Sequence, residues 1–154
     1  MDDRSRFQSV IDSLAHEYST TAFSPHITIR SSIEDASVAI ELGEQLAKNY
    51  RSFEVRPECL DHNDVFYRAF TIRLKPDASL QGARLACAAK LGVVKEPYVP
   101  HLSLMYQQAS QFDPKVFQQC PDDILRAFAI DRLDLIDAGG EVRDWRLIRS
   151  FQLL

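Results

Sequence analysis

The chain has no C-x-x-C pair, and its three cysteines, Cys59, Cys87 and Cys120, are odd in number and well separated. That excludes a disulfide framework and reads as reduced, mostly buried thiols. There is no basic excess: 18 Lys and Arg stand against 22 Asp and Glu, a formal net charge of −4. General nucleic-acid binders usually carry a basic surface, so that class is disfavoured, while a local basic pocket is compatible with the count. No apolar run approaches the length of a membrane-spanning helix, and no membrane partner is expected. The opening MDDRSRFQSV lacks the apolar stretch of a secretory signal. With the reduced thiols, this points to the cytoplasm. No low-complexity linker or break in composition divides the 154 residues, so a single domain over 1–154 is expected.

What is present is an ordinary globular balance, 45% hydrophobic and 26% charged, enough for one substantial core. Phe7, Val10, Ile11, Leu14 and Tyr18 follow helical spacing and predict a helix over 4–18. HITIR then alternates like a strand. SSIED reads as a turn with Ser32 and Asp35 as a capping signal. Ala39, Leu42, Leu46 and Tyr50 mark a second helix, weakened by Gly43. SFEVRPEC and VFYRAFTIRL, joined by the polar DHND, predict an antiparallel hairpin. Asp77 caps a third helix carrying Leu80, Ala83, Cys87 and Leu91, and Gly92 stops it. YVPHLSLMY is a strand again, and Asp113-Pro114 begins a short helix. Two tail strands, RAFAIDRLDLID and DWRLIRSFQLL, flank Gly139-Gly140. Helices mixed with hairpins predict an α+β fold.

One pattern occurs twice. SPHITI (24–29) and VPHLSL (99–104) both place proline, histidine, an aliphatic, a hydroxyl residue and an aliphatic in order. In a strand, residues i and i+2 share a face. His26 therefore sides with Thr28, and His101 with Ser103, while Ile27, Ile29, Leu102 and Leu104 point to a core. A pair of imidazoles in one cleft can divide acid–base work, one neutral and accepting a proton, the other charged and donating one. The hydroxyls can hydrogen-bond phosphoryl oxygens. A single His-x-Thr on an amphipathic strand is usually structural or merely exposed. Two copies, each preceded by proline and set among aliphatics, are far more specific. A zinc site is weighed against this, but the other histidines, His16 and His62, supply no evident third ligand. No metal and no cofactor is expected.

PHITI and PHLSL resemble the paired signature of the two-histidine phosphoesterases. FSPHITI, YVPHLSLMY and the closing DWRLIRSFQLL are similar, more narrowly, to their cyclic phosphodiesterase branch, over roughly residues 5–154. The resemblance implies a bilobal, pseudo-two-fold α+β fold. Two antiparallel sheets would line a central cleft with helices outside, each lobe giving one His-x-Thr/Ser strand. It implies metal-independent opening of cyclic phosphates, with His26 and His101 catalytic and Thr28, Ser103 and Tyr106 binding substrate. The implied substrates are ADP-ribose 1″,2″-cyclic phosphate and nucleoside 2′,3′-cyclic phosphates, the latter giving 2′-phosphates. The family pattern also opens on a short Leu-Trp-Leu strand, whereas helical spacing begins here almost at once. Strict alternation sets Tyr106 on the face opposite His101, so the strand must end, bulge or twist there for Tyr106 to reach the site.

Other residues are open at this level. Phe66, Tyr67, Arg68 and Phe70 wall the cleft or, by preference, pack in the core. Arg30 meets a phosphate or ends a solvated strand, and Trp145 is assigned to the core. Competing functions are an RNA-end or 2′,5′-phosphodiester enzyme acting on short RNA ends, and a non-catalytic nucleotide-binding module. The acidic balance disfavours long RNA, and the full set of motif side chains gives no support to lost catalysis. A monomer is expected.

Overall fold

The structure is a computed structural model describing residues 3–154. In chain order the elements are α1 (Asp3–Glu17), α2 (Ala36–Asn49), β1 (Phe53–Val55), β2 (Pro57–Asp61), β3 (Phe70–Leu74), α3 (Ala78–Leu91), β4 (His101–Met105), β5 (Phe128–Ile130), β6 (Arg132–Asp137) and β7 (Arg146–Gln152). Short 3-10 turns fill several connections, including Phe66–Arg68 and Pro114–Gln118. The fold is α+β, with small sheets and three helices among the described residues. None of these helices is long and apolar enough to cross a membrane. The cysteines form no disulfide. The chain divides into two compact units.

The first unit comprises residues 3–27, Arg56–Lys75 and Pro100–Phe128. Its sheet runs in the order β2-β3-β4, antiparallel throughout. Beyond β4, one isolated antiparallel bridge joins Ile27 to Leu102. α1 packs on β4, burying Phe7, Ile11 and Leu14 with Ile72, Leu74, Leu102 and Leu104. Arg6 is buried too, and its guanidinium donates to the carbonyls of Asp123 (3.0 Å) and Arg126 (3.1 Å).

Register sorts this sheet into two faces. Ile72 opposes Leu102, and Ile27 bridges to the same residue, so one face is apolar. Arg73 opposes His101 and Thr71 opposes Ser103, so the other face is polar. The Ile27–Leu102 bridge brings the segment that follows His26 alongside β4, antiparallel to it. Both motif histidines thus belong to the first unit.

The second unit comprises Thr28–Val55, Pro76–Val99 and Ala129–Leu154. The β6–β7 hairpin packs on α2, and α2 packs on α3. Leu42, Leu46, Ala83 and Cys87 form its core, with Ile29, Tyr50 and Leu133 against them.

Several expectations change in detail. HITIR makes only the single bridge at Ile27, because side chains replace a neighbouring strand: Tyr98 donates its hydroxyl to the Thr28 carbonyl at 3.2 Å. SFEVRPEC is two strands, parted at Arg56, with a register shift between Pro57 and Cys59 where proline has no N–H to give the ladder. The strand predicted from Val65 starts only at Phe70, since Phe66–Arg68 coil into a 3-10 turn. Ser32 does not cap α2 and lies at φ 58°; Asp35 caps it instead, accepting from the amides of Ser37 (2.9 Å) and Val38 (3.3 Å). Arg30 meets the end of α3, donating to the Gly92 carbonyl at 2.9 Å, where a cation suits the helix dipole.

Gly43 has a packing role rather than being a simple weakness of α2. A Cβ there would lie 2.5–2.9 Å from the ring atoms of Phe151. Gly43→Ala gains about 1 kcal/mol of helix propensity but overpacks a buried ring, which costs about 1–3 kcal/mol. Urea unfolding is expected to show net destabilisation. An equal or higher midpoint would mean that the ring shifts freely.

Candidate active site

Ser24 and Pro25 lead the chain into His26 with the imidazole exposed. His26 Nδ1 lies 2.7 Å from the Ser24 carbonyl oxygen. A carbonyl oxygen only accepts, so Nδ1 carries a proton in either charge state of the ring. Nε2 is then the atom that gains or loses the exchangeable proton. It faces the Tyr106 hydroxyl at 3.4 Å.

Tyr106 arrives there because β4 ends at Met105 and the β3–β4 register shifts between Phe70 and Thr71. The alternation that would turn Tyr106 away from His101 has stopped by that point. The ring is buried and stacks on Phe23, with centroids 3.8 Å apart and an 11° interplanar angle. Tyr67 meets it edge-on at 5.2 Å, and Phe66 is tilted to it at 6.1 Å. Burial holds the phenol well above its ordinary value; Tyr67 adds to this and a hydrogen bond with Ser103 opposes it. Tyr106 therefore keeps its proton across the neutral range and can donate it in a hydrogen bond.

Ser103 is buried, and its hydroxyl donates to the Tyr67 carbonyl at 2.8 Å. His101 is partly buried, two residues away on the same face of β4. Its cross-strand neighbour is Arg73, which is held by Glu58 at 2.8 Å and Asp61 at 3.8 Å. Thr28 is exposed and is the first residue of the second unit.

Of the residues singled out in the sequence, His26, His101, Ser103 and Tyr106 thus fall in one unit, with His26 and Tyr106 in direct approach. The sequence pattern missed Phe23, whose position three residues before His26 was the available signal, and Arg73, which only register places beside His101. Phe70 is core, fully buried, as preferred. Phe66 and Tyr67 are not core: they border Tyr106, and Tyr67 is 48% exposed.

Residues 2–153 match the family model described as "Cyclic phosphodiesterase-like protein". No curated protein matches the chain.

The Tyr106 geometry generates two expectations. Tyr106→Phe, which removes only the hydroxyl, should lower kcat/KM roughly tenfold, the scale of one lost hydrogen bond. It should also flatten the alkaline limb of stability. The folded-state value of this phenol is raised above the unfolded one, so its contribution is present below the ordinary tyrosine range and is lost as pH rises through it. Urea midpoints of both proteins from neutral to strongly alkaline pH check this. Parallel curves would count against a buried, protonated Tyr106.

Proposed function

The chain belongs to the cyclic phosphodiesterase-like family, and on that premise we propose that it opens small-nucleotide cyclic phosphates by metal-independent acid–base catalysis between His26 and His101. The substrates in this reading are ADP-ribose 1″,2″-cyclic phosphate and nucleoside 2′,3′-cyclic phosphates, the latter yielding 2′-phosphates. The observation that carries it is the Ile27–Leu102 bridge, which sets the two His-bearing segments side by side and antiparallel. Leu102 is buried in the core beneath this bridge, and period-two alternation about it supports a reading in which the flanking polar side chains turn the other way.

In the proposed reaction a neutral imidazole takes a proton from water through Nε2. The water oxygen forms a bond to phosphorus, and one ring P–O bond breaks. The protonated imidazole gives its proton to the departing oxygen, leaving an alcohol and a phosphate monoester. Each histidine ends in the charge state the other began with, and exchange with solvent resets them. The Ser24 carbonyl supports this use of His26, because it fixes the tautomer and leaves Nε2 as the reactive atom. Tyr106, Thr28 and Ser103 are the proposed donors to the phosphoryl oxygens. Ser103 must exchange its Tyr67 carbonyl acceptor for the phosphate to do so.

A bell-shaped pH profile of kcat is expected, since one histidine must be neutral and the other protonated. His26→Ala and His101→Ala should each lower kcat by roughly 10²–10⁴-fold, the size of one positioned acid–base group. The double variant should lose less than the product of the two single losses if they act as a unit. His16→Ala, on the last turn of α1, serves as the control. Full activity after removal of either motif histidine would overturn the mechanism. Activity should survive EDTA; loss on chelation with recovery on zinc would favour a metal. Phosphorus NMR of the products separates 2′- from 3′-phosphates and so tests the branch of the family.

A further inference from the structure

We infer that His62, which lies outside both motifs, is a positioning residue that clips the loop carrying Phe66 and Tyr67 against Tyr106. The kinetic half of this inference rests on the proposed function; the structural half does not. β2 ends at Asp61 and β3 begins at Phe70, so residues 62–69 connect them. Hairpin connections usually take about two to five residues. A longer one keeps a single shape only if something outside its own backbone holds it. Two anchors hold its middle: Ser103 donates to the Tyr67 carbonyl at 2.8 Å, and the Gln107 amide donates to the Phe66 carbonyl at 3.2 Å.

His62 joins its ends. Its Nδ1 lies 2.7 Å from the carbonyl oxygen of Ala69, a wholly buried residue. That oxygen can only accept, so Nδ1 is the donor whatever the charge on the ring. The imidazole stacks on Phe112, with centroids 3.6 Å apart and planes within 10°. Its Nε2 lies 3.4 Å from an Asp64 carboxylate oxygen. The ring is therefore fixed by one face and by Nδ1, and it takes up a carbonyl just beyond the Asp61–Thr71 end of the ladder. What the clipped loop presents is the half-exposed Tyr67 ring, edge-on to a tyrosine whose hydroxyl approaches His26 Nε2. Loosening the loop would blur that aromatic wall. Tyr106 itself would stay in place, held by its stack on Phe23. The effect belongs to substrate binding more than to proton transfer.

The test combines hydrogen–deuterium exchange with steady-state kinetics on a nucleoside 2′,3′-cyclic phosphate. In His62→Ala, the amides of 62–69 should exchange faster while the β3–β4 ladder stays protected. KM should rise about tenfold, the scale of one buried acceptor losing its donor, with kcat changed far less. His62→Asn, whose amide N–H can replace Nδ1–H, should restore both. His62→Phe, which keeps the stack on Phe112 and loses the donor, should behave as His62→Ala. If the alanine variant does not fold, the Asn–Phe comparison decides the matter, and equal behaviour of the two overturns the clip. Unchanged loop exchange in His62→Ala also overturns it. Faster exchange with an unchanged KM overturns the positioning role. Absence of turnover in the wild-type protein would instead defeat the proposed function, and exchange alone would then decide the clip.

Discussion

The burial of Leu102 and Leu104 beneath α1 is the constraint on which the site depends. Each leucine contributes about 1.5–3 kcal/mol by leaving water. A one-residue slip of β4 would turn both to the polar face and set His101 and Ser103 against the apolar core in their place. A ladder hydrogen bond contributes about 1 kcal/mol net, so no rearrangement of the backbone ladder offsets that loss. The aliphatics between the motif polar residues thus set which way the polar residues face. The same holds for Ile27, whose bridge to Leu102 brings His26 to the edge of the sheet.

Proton bookkeeping follows from equally local causes. One carbonyl oxygen, that of Ser24, determines which nitrogen of His26 keeps its proton. Burial among aromatic rings determines that Tyr106 remains a phenol. Neither effect needs a distant charge. His26 Nε2 thus faces a hydroxyl that keeps its own proton at neutral pH.

Away from the ladders, side chains complete the backbone. Tyr98 takes the carbonyl of Thr28, Arg30 that of Gly92, Ser103 that of Tyr67 and His62 that of Ala69. The segments served in this way are those around the second half of the first motif, the end of α3 and the loop ahead of β3. Of these residues only Ala69 is wholly buried; left unpartnered, its carbonyl would cost about 1–3 kcal/mol, which is reason enough for His62 to be held in place. Partners off the ladder also explain why Phe66–Arg68 coil into a turn although their sequence alternates like a strand: their carbonyls are engaged by Gln107 and Ser103 rather than by a neighbouring ladder.

The sequence by itself determined the elements whose signal is local. Helical spacing located α1, α2 and α3, α1 to within a residue at each end, and Asp77 capped α3 as its position required. The period-two alternation of VPHLSL fixed the two faces of β4. Tertiary structure decided the rest, because it depends on partners far apart in the chain. It reduced HITIR to one bridge, split SFEVRPEC at Arg56 and halted β4 at Met105, so that Tyr106 could approach His26 across 80 positions of sequence. It made Gly43 a space for Phe151 and turned His62 from a polar-turn residue into a clip on Ala69. Periodicity reports which side of its own backbone a residue occupies; only packing between distant segments selects the atom it meets there.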